Sequence, residues 1–538
     1  MSYYKDLREY ISALDSKGKL LRITEPINKD TQLHPLTRLQ FRGLKEAERK
    51  AFLFEKVFDS KGKSYDTPVL LGALGASPEV YAIGMQCDEV SEIGRRWQKA
   101  HLNQMDPVIV NGGPVHEVVL TGETLLERGG FGEFPIPISS PGWDVAPYIT
   151  SPYWVSKDPE TGIRNVGTYR AQIKSPTRTG IHAAKFFRGI AYHWRKAKGM
   201  GKPLEAAIVI GASPNIGYVS VSQLPTDLDE YKVAGGIAGE PVELVKCKTV
   251  DLEVPARAEI VIEGHISTDY VEPEAPFGEA TGYVGQREIS FVFEATAFTH
   301  RKDPIWQAFI SQFPPSESST IRQIACANVI PRRIKQDLGM SFVRQVGVHF
   351  TNGSDRYVVL QLDKCDREDV WRALEAMPKQ FPAFSKIVVA VDKDINPWNA
   401  NMVNWAITYR CQPHRDIRIK KIPVPDSQDY SVKPPEGDTV VTAFKTEPEE
   451  MPEGSVLLID TTMKWPYPPL SLPPKEYMDE AINIWQKLGL PELDLQEPWY
   501  GYNLGFWSEE NEREAKRAVA GDHYLNGEMN AQRRKPID

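Results

Sequence analysis

The hydrophobic pattern begins with a helix and then changes to short strands. Between Tyr4 and Ser16, apolar residues recur at spacings of three and four, which predicts an amphipathic helix. LLRITEPI (20–27) resembles a strand that ends at a proline, and PVLLGALG (68–75) and DPVIVNG (106–112) resemble short buried strands close to turns. The pattern therefore predicts mixed helix and strand at the start of the chain.

Strand-forming sequence is densest between roughly 163 and 300. NVGTYRAQI, EAAIVIGA, AEIVIEGHI and SFVFEATAF are rich in β-branched and aromatic residues, and one helical segment at 185–198 interrupts them. Because strands predominate, the sequence predicts a β-layered core surrounded by helices rather than a doubly wound sheet.

The rest of the chain predicts a separate α/β part. SSTIRQIACANVIPRRIKQDLG (318–339) has helical periodicity, and we expect a linker helix that Pro331 kinks or divides. RYVVLQL (356–362), a helix at 366–377 and KIVVAVDKDI (386–395) then follow a strand–helix–strand order.

The composition excludes several classes of protein. With 64 basic and 72 acidic residues among 538, the net charge of −8 gives no reason to expect nucleic acid as a partner. No apolar run approaches the roughly 18 residues of a transmembrane helix, and MSYYKDLREYI lacks the apolar stretch of a secretory signal. The five cysteines lie far apart without a CxxC pair, which argues against a disulfide framework or a cysteine zinc site. We expect a cytoplasmic protein of several domains with no membrane partner.

The segment VEPEAPFGEATGYVG (271–285) places three acids, Glu272, Glu274 and Glu279, among prolines and glycines. Two carboxylates held close together by such a turn raise the proton affinity of one of them, which gives a proton donor near neutral pH. The alternative is a solvated acidic turn between two strands, and the spacing alone favours that alternative.

The segment RNVGTYRAQI (164–173) carries an arginine in a predicted strand. Side chains alternate between the two faces of a strand, so Arg170 is expected on the face opposite Asn165 and Tyr169. An inward-facing arginine needs an acidic partner, because a lone buried charge is unfavourable, and the acids of 271–285 are the natural candidates. The alternative is an edge-strand arginine in solvent.

A basic stretch without any acid runs from Ala171 to Lys202. Such a stretch in an acidic protein either receives the phosphates of a cofactor or a large anionic substrate, or forms a solvated helix face. Its basic residues are Lys174, Arg178, Lys185, Arg188, Arg195, Lys196, Lys198 and Lys202.

Taken in order, the motifs resemble the UbiD decarboxylase family. The likeness runs through NVGTYR (165–170), the long segment 227–264, EAPFGEATGY (274–283), WNANMVNWAITYR (398–410) and DTTMKWP (460–466). It spans most of the chain, and the combination of an Asn-x-Gly-x-Tyr-Arg strand with a downstream Glu-x-Pro-Phe-Gly-Glu turn is specific.

The resemblance implies prenylated flavin mononucleotide (prenylated FMN) as cofactor, its phosphate held through a divalent metal and potassium. It matches Arg170, Glu274 and Glu279 to the family's glutamate–arginine–glutamate trio. Glu279 would donate the proton to the carbon that loses carbon dioxide, and Arg170 and Glu274 would form the ion pair that positions it. The implied cofactor-binding residues are Asn165, Tyr169, Arg170, Ser222 and Glu230.

Asn165 and Glu230 match the family's metal-binding positions, and oxygen ligands suit manganese, iron or magnesium. Many members of the family add a histidine just before a glycine–alanine helix segment, where this chain has Phe186. His182, His193 or water would then supply the third ligand.

The resemblance also implies the architecture. We expect a mixed α+β fold, with a split β-barrel that binds the flavin and a smaller α/β oligomerisation domain joined to it by the linker helix. The expected parts are a flavin-binding domain with an N-terminal α/β part (1–317), the linker helix (318–339), the oligomerisation domain (340–465) and a C-terminal extension (466–538).

The long form of the chain resembles members that act on aromatic acyl-coenzyme A (acyl-CoA) thioesters such as phthaloyl-CoA. The alternative substrate is a free hydroxylated or polycyclic aromatic acid. FISQFPPSESS (309–319) is expected to line the pocket, with Phe313 setting the size of ring that fits.

Two other functions remain open at this point: a non-catalytic UbiD-like subunit of a carboxylase complex and an ordinary flavin oxidoreductase. A non-catalytic subunit would be expected to lose the trio, which is complete here. The resemblance further implies a flavin prenyltransferase as the supplier of the cofactor, and a homodimer or homohexamer.

Overall fold

The computed structural model describes residues 2–183, 189–222, 224–225, 227–285, 287–349, 356–423, 429–432 and 453–537. It has a mixed α+β fold, as the sequence predicts. None of the described helices is both long and apolar enough to span a bilayer.

The first hundred residues form a small α/β layer. Helix α1 begins where the Asp6 carboxylate accepts hydrogen bonds from the amides of Arg8 and Glu9, and it buries an apolar face, as predicted. The elements are α1 (Leu7–Ser16), β1 (Leu20–Ile23), β2 (Ile27–Asn28), α2 (Leu33–Gly43), β3 (Ala51–Phe54), β4 (Val57–Phe58), β5 (Ser64–Tyr65), β6 (Val69–Leu71), α3 (Pro78–Gly84) and α4 (Ile93–Leu102).

The middle of the chain is dominated by strands, as predicted. The elements are β7 (Val108–Ile109), β8 (Val118–Thr121), α5 (Glu123–Glu127), β9 (Tyr148–Ile149), β10 (Tyr153–Lys157), β11 (Arg164–Thr168), β12 (Ala171–Ser175), β13 (Arg178–Ile181), α6 (Gly189–Gly199), β14 (Leu204–Ile210), α7 (Pro214–Val221), α8 (Glu230–Ala238), β15 (Glu243–Lys246), β16 (Glu253–Pro255), β17 (Ile260–Ile266), β18 (Glu272–Glu274), β19 (Glu288–His300) and β20 (Trp306–Ala308).

Ten of these strands make one antiparallel sheet in the order β11-β10-β14-β17-β19-β13-β12-β9, with β8 and β18 also pairing with β19. The path is open at both ends, and the described strands do not close into a ring. One expectation was wrong here: β7 is exposed rather than buried, because this two-residue strand lies at the edge of a separate three-stranded sheet.

The last part of the chain repeats strand and helix, as predicted. The elements are α9 (Glu317–Arg332), β21 (Val343–Val348), β22 (Tyr357–Leu362), α10 (Arg367–Gln380), β23 (Ile387–Asp392), α11 (Ala400–Arg410), α12 (Pro413–Asp416), β24 (Ile417–Pro423), β25 (Glu453–Asp460), α13 (Lys475–Lys487), α14 (Glu509–Val519) and α15 (His523–Ala531). Pro331 lies near the end of α9, and one π-helical turn, Arg333–Asp337, follows it.

The hydrophobic core divides near α9. One cluster joins residues from Tyr3 to Ile321, and two further clusters begin after it. Those two lie on opposite faces of the five-stranded sheet β21-β22-β23-β25-β24, because alternate residues such as Val358 and Val359 belong to different clusters. The predicted domain boundaries stay a prediction, although the division of the core accords with them.

Candidate active site

The strand predicted to carry Arg170 is interrupted at that residue. Thr168 ends β11, which pairs with β10, whereas Ala171 begins β12, which pairs with β9. The indole nitrogen of Trp154 donates a hydrogen bond to the carbonyl oxygen of Tyr169 at 2.7 Å and holds this break. The prediction of one continuous strand over 164–173 was therefore wrong, because the chain changes its pairing partner here.

The acidic turn (residues 274–285) is folded tightly back on itself. Glu274 ends β18, and beyond it the amide of Glu279 donates to the carbonyl of Tyr283 at 2.8 Å. The amide of Gly285 donates to the carbonyl of Phe277 at 2.7 Å. Glu274 is 1% exposed and Glu279 is 9% exposed, so the alternative of a solvated turn was wrong for these two acids.

Arg170 joins the two acids into one group, called the trio below. Its Nε atom donates to Oε1 of Glu274 at 2.6 Å, and its Nη1 atom donates to Oε1 of Glu279. The arginine side chain is mostly buried, so the alternative of a solvent-exposed edge arginine was also wrong. The structure thus brings together the three residues that the sequence singled out.

The charges of the trio are strongly coupled. Burial opposes ionisation of Glu274, but the positive charge of Arg170, together with the contact to His182, outweighs it and lowers the pKa of Glu274 to about 2. Burial also opposes the charge of Arg170, but the two carboxylates outweigh it and raise the pKa of Arg170 above its ordinary value. Glu274 therefore stays ionised, and Arg170 stays protonated, at physiological pH.

His182 is a fourth member of this neighbourhood. Its Nδ1 atom lies 3.3 Å from Nη2 of Arg170 and 3.5 Å from Oε2 of Glu274. The sequence named His182 only as a candidate metal ligand. The contact with Arg170 follows from the β12–β13 hairpin. Its strands pair Ile173 with Thr179, and the same register puts His182 opposite Arg170.

Two aromatic rings form an apolar wall beside the trio. The Cζ atom of Arg170 lies 5.1 Å from the centre of the Phe277 ring, and the Phe277 and Tyr148 ring centres are 4.1 Å apart. The hydroxyl of Tyr148 donates to the carbonyl of Ala275 at 2.9 Å, which anchors the acidic turn. These rings keep the ion pairs away from solvent.

Asn165, on β11, and Glu230, at the start of α8, are the two predicted metal ligands. Oε2 of Glu230 accepts a hydrogen bond from the amide of Val166, the residue after Asn165, at 2.8 Å. Glu230 is 6% exposed, no basic side chain in the described ranges pairs with it, and burial raises its pKa to about 8. The amide nitrogen of Asn165 is buried without a partner among the described residues, and a side chain at Gly189 would collide with Oδ1 of Asn165. The Glu230 carboxylate and the Asn165 amide oxygen are both ligands of the kind that a hard cation prefers.

Less evidence for a cofactor or metal site comes from the other predicted ligands, Ser222, Phe186 and His193. The hydroxyl of Ser222 donates to the carbonyl of Tyr218 within α7 at 2.8 Å. Phe186, which stands at the position of the third ligand, lies outside the described residues. Nδ1 of His193 lies 2.9 Å from the hydroxyl of Ser156, and burial lowers the pKa of His193 to about 4. Among the residues that the structure describes, no three His, Cys, Asp or Glu side chains converge on one point.

Phe313 lies at the rim of the acidic turn. It is 53% exposed, the guanidinium of Arg42 lies 5.1 Å from its ring centre, and its Cδ2 atom would be 2.9 Å from a side chain at Gly282. Its neighbour Gln312 is instead buried and faces Gly278. The sequence named Phe313 from this loop and missed Gln312.

Part of the basic stretch is already neutralised. Lys174 and Arg178 pair with Glu272 at 3.0 and 3.4 Å, and Lys196 pairs with Asp158 at 2.7 Å. These three residues therefore have acidic partners within the chain, and Lys174 and Arg178 lie on β12 and β13 rather than on a solvated helix face. Two other members, Lys185 and Arg188, lie outside the described residues.

Family models match most of the chain. They describe the N-terminal, Rift-related and C-terminal domains of 3-octaprenyl-4-hydroxybenzoate carboxy-lyase (UbiD) and match residues 11–97, 108–314 and 325–446. An uncharacterised protein of Synechocystis is 32% identical over 453 residues, which cover 79% of this chain and 86% of the relative.

Two solved enzymes have a similar fold. The UbiD-class enzyme HmfF of Pelotomaculum thermopropionicum, solved with FMN, is 30% identical with a TM-score of 0.73, over 86% of this chain and 95% of HmfF. An evolved dimeric form of HmfF was solved with prFMN. The vanillic acid decarboxylase of Sedimentibacter hydroxybenzoicus is 27% identical with a TM-score of 0.73, over 91% of this chain and 99% of that enzyme.

Proposed function

The chain belongs to the UbiD family of carboxy-lyases, and on that premise we propose that it removes carbon dioxide from an aromatic carboxylate with the help of prenylated FMN. The observation that carries the proposal is the buried trio, in which one arginine is shared by two carboxylates. A shared, desolvated pair of acids is a recurrent arrangement for proton transfer in enzymes.

In this proposal Glu279 donates the proton to the carbon that has lost carbon dioxide. Glu274 stays ionised and neutralises Arg170, so Glu279 is not needed as a permanent counter-charge. Glu279 is then able to alternate between acid and carboxylate while Arg170 holds one of its oxygens in place. A positioned general acid of this kind contributes about 10²–10⁴-fold to the rate.

Asn165 and Glu230 would hold the cofactor phosphate through a divalent manganese, iron or magnesium ion, with potassium beside it. The burial of Glu230 without a cationic partner in the described ranges supports this role. Tyr169, Arg170 and Ser222 would complete the cofactor site, and the FMN and prFMN complexes of HmfF support the choice of cofactor. When bound, the cofactor supplies the electron sink that no side chain offers.

The chain's own side chains supply the rest of the environment. Tyr148 and Phe277 exclude water from the trio, which strengthens the ion pairs and protects the proton transfer. His182 contacts both Arg170 and Glu274 and limits their movement. Phe313, at the rim of the acidic turn, would contact the substrate ring.

The first candidate substrate is phthaloyl-CoA, converted to benzoyl-CoA and carbon dioxide; it rests on the resemblance of the long chain to acyl-CoA members of the family. A free hydroxylated or polycyclic aromatic acid is the second candidate. The ion pairs of Lys174, Arg178 and Lys196 favour the second, because they leave fewer charges for the phosphates of coenzyme A.

The test is product analysis under anaerobic conditions with protein produced together with a flavin prenyltransferase. The compounds are phthaloyl-CoA, free phthalate, hydroxybenzoates and a naphthoate. Conversion of the thioester alone would establish the first candidate, and conversion of a free acid the second. Binding of the modified flavin without any turnover would favour a non-catalytic subunit and overturn the proposal.

We also infer a flavin prenyltransferase as the supplier of the cofactor and a homodimer or homohexamer as the assembly. The evolved dimeric form of HmfF supports self-association as a possibility for this fold. Light scattering of the loaded protein measures the assembly, and a monomeric mass would contradict it.

A further inference from the structure

One polar side chain outside the trio, Gln312, contacts the acidic turn at Gly278, the residue directly before Glu279, and a second, Arg38, binds Gln312 from behind. Gln312 comes from the loop after β20 and Arg38 from helix α2. A side chain at Gly278 would lie 2.6 Å from Cγ of Gln312 and 3.3 Å from the hydroxyl of Ser140. Gln312 therefore packs directly against the backbone that carries Glu279.

Arg38 fixes the orientation of Gln312. Its Nη2 atom donates a hydrogen bond to Oε1 of Gln312, and Gln312 is only 4% exposed. Rotation of the glutamine would separate a buried acceptor from a guanidinium, and an unsatisfied buried polar group is unfavourable. The contact with Gly278 is thus held from helix α2, whose sequence is remote from the trio.

The pair is kept although burial of an arginine is unfavourable. Burial lowers the pKa of Arg38 to about 10, and the nearby carboxylate of Asp144 offsets part of this effect. Asp144 is also attached to the acidic turn, since its carboxylate accepts a hydrogen bond from the backbone of Gly278, and it accepts a second from the amide of Ser140 at 2.7 Å. Because Nη1 of Arg38 and Nε2 of Gln312 are buried without a partner among the described residues, each side chain depends on the Arg38–Gln312 hydrogen bond for its place.

The contact at Gly278 matters because it affects the position of Glu279. Gly278 pairs with Val284 across the acidic turn, so its position sets where the next residue begins. A displacement of reacting groups by about 1 Å is able to lower a rate by about 100-fold.

We propose that Arg38 and Gln312 are positioning residues that hold Gly278, and through it the Glu279 carboxyl group, in the place required for proton transfer. The inference rests on the proposed function, in which Glu279 is the proton donor. Helix α2, which is remote from the trio in the sequence, would thus help to position the proton donor.

The first test needs no substrate. Hydrogen exchange of the peptide that covers the acidic turn is followed by mass spectrometry in the cofactor-loaded wild-type protein and in the Gln312→Leu and Arg38→Met variants. We expect exchange at the turn to become about tenfold faster in both variants, because the turn loses its support at Gly278. Arg22→Met is the matched control, since Arg22 is half-exposed and its acidic partners among the described residues are Asp15 and Glu55.

The second test uses the compound of the substrate panel that the wild-type enzyme converts fastest. We expect Gln312→Leu to lower kcat by about 10- to 100-fold with little change in KM or cofactor occupancy, and to raise the solvent deuterium isotope effect. Gln312→Glu keeps an acceptor for Arg38 and should retain most of the wild-type kcat.

Unchanged exchange at the acidic turn in Gln312→Leu would overturn the inference whatever the substrate. So would a loss of kcat that only follows a loss of bound cofactor. If Glu279→Gln leaves turnover intact, the proposed function fails, whereas loss of turnover in Glu279→Gln with normal kcat in Gln312→Leu removes only this inference.

Discussion

Two buried carboxylates in this protein have pKa values that move in opposite directions. Glu274 is 1% exposed and its pKa falls to about 2, because the charge of Arg170, together with the contact to His182, outweighs its burial. Glu230 is 6% exposed and its pKa rises to about 8, because burial acts on it without a cationic partner in the described ranges. Similar burial therefore has different consequences, and the difference lies in the neighbouring charge.

The difference indicates what each region requires. The Glu274 carboxylate already has its counter-charge, because the chain itself supplies the guanidinium of Arg170. The region of Glu230 lacks a positive charge among the described residues, which is the requirement that the proposed metal would satisfy. The first region is suited to moving a proton and the second to binding a cation.

The largest expected effect comes from Glu279→Gln, which keeps the shape of the side chain and removes its proton. We expect decarboxylation to fall by about 10²–10⁴-fold while the cofactor remains bound. Turnover and the flavin absorbance of the loaded protein measure the two quantities.

Glu272→Gln is the matched control on the same segment. Glu272 pairs with Lys174 and Arg178 instead of Arg170, so this variant should keep its turnover. Equal losses in the two variants would show that the segment is merely sensitive to substitution.

Arg170→Met should destabilise the protein, because it leaves the Glu274 carboxylate buried without its cation. Breaking one partner of a buried pair costs about 3–5 kcal/mol, and protonation of Glu274 limits the effect. Urea unfolding at neutral pH measures the change. The exposed pair of Arg22 gives the contrast, since Arg22→Met should change stability by less than about 1 kcal/mol.

Glu230→Gln tests the other side of the comparison by removing the carboxylate that has no cationic partner in the described ranges. We expect manganese together with FMN to raise the melting temperature of the wild-type protein, and metal affinity to fall by at least about tenfold in the variant. Glu253→Gln is the control, because the charge of Glu253 is already balanced by Lys157 and Arg164. An unchanged metal response in Glu230→Gln would remove Glu230 from the metal site.

The smallest expected effect is a pH dependence of stability. The folded-state pKa of Glu274 is about 2 and its ordinary value is 4.5, so the ionised carboxylate stabilises the fold above pH 4.5. That contribution is lost as the pH falls from 4.5 towards 2. The difference in unfolding midpoint between wild type and Glu274→Gln should therefore shrink over this range, and a constant difference would contradict the low pKa.

The sequence predicted much of the fold because its signals were local. The helix at α1, the strand-rich middle and the strand–helix–strand order after α9 follow from periodicity and composition. The exposed strand β7 was mistaken for a buried one because apolar sequence does not show which strand lies at an edge.

The sequence predicted which residues form the candidate site better than it predicted how they are arranged. The trio was found through motifs, but the strand break at Arg170 depends on pairing with β9, which lies earlier in the chain. The contacts of His182 with the trio and of Gln312 with Gly278 were not predicted, because a hairpin register and a loop without periodicity decide where these side chains point. Long-range contacts of this kind leave little trace in a single sequence.

The most direct test of the account is the fate of the proton during turnover. The cofactor-loaded enzyme is incubated anaerobically in heavy water with the compound it converts fastest, and carbon dioxide and product deuterium are both quantified. The account predicts one deuterium at the decarboxylated carbon for each carbon dioxide released, and rates of both that are about 10²–10⁴-fold lower in Glu279→Gln. Wild-type rates of both in Glu279→Gln, or substrate loss without carbon dioxide, would contradict it.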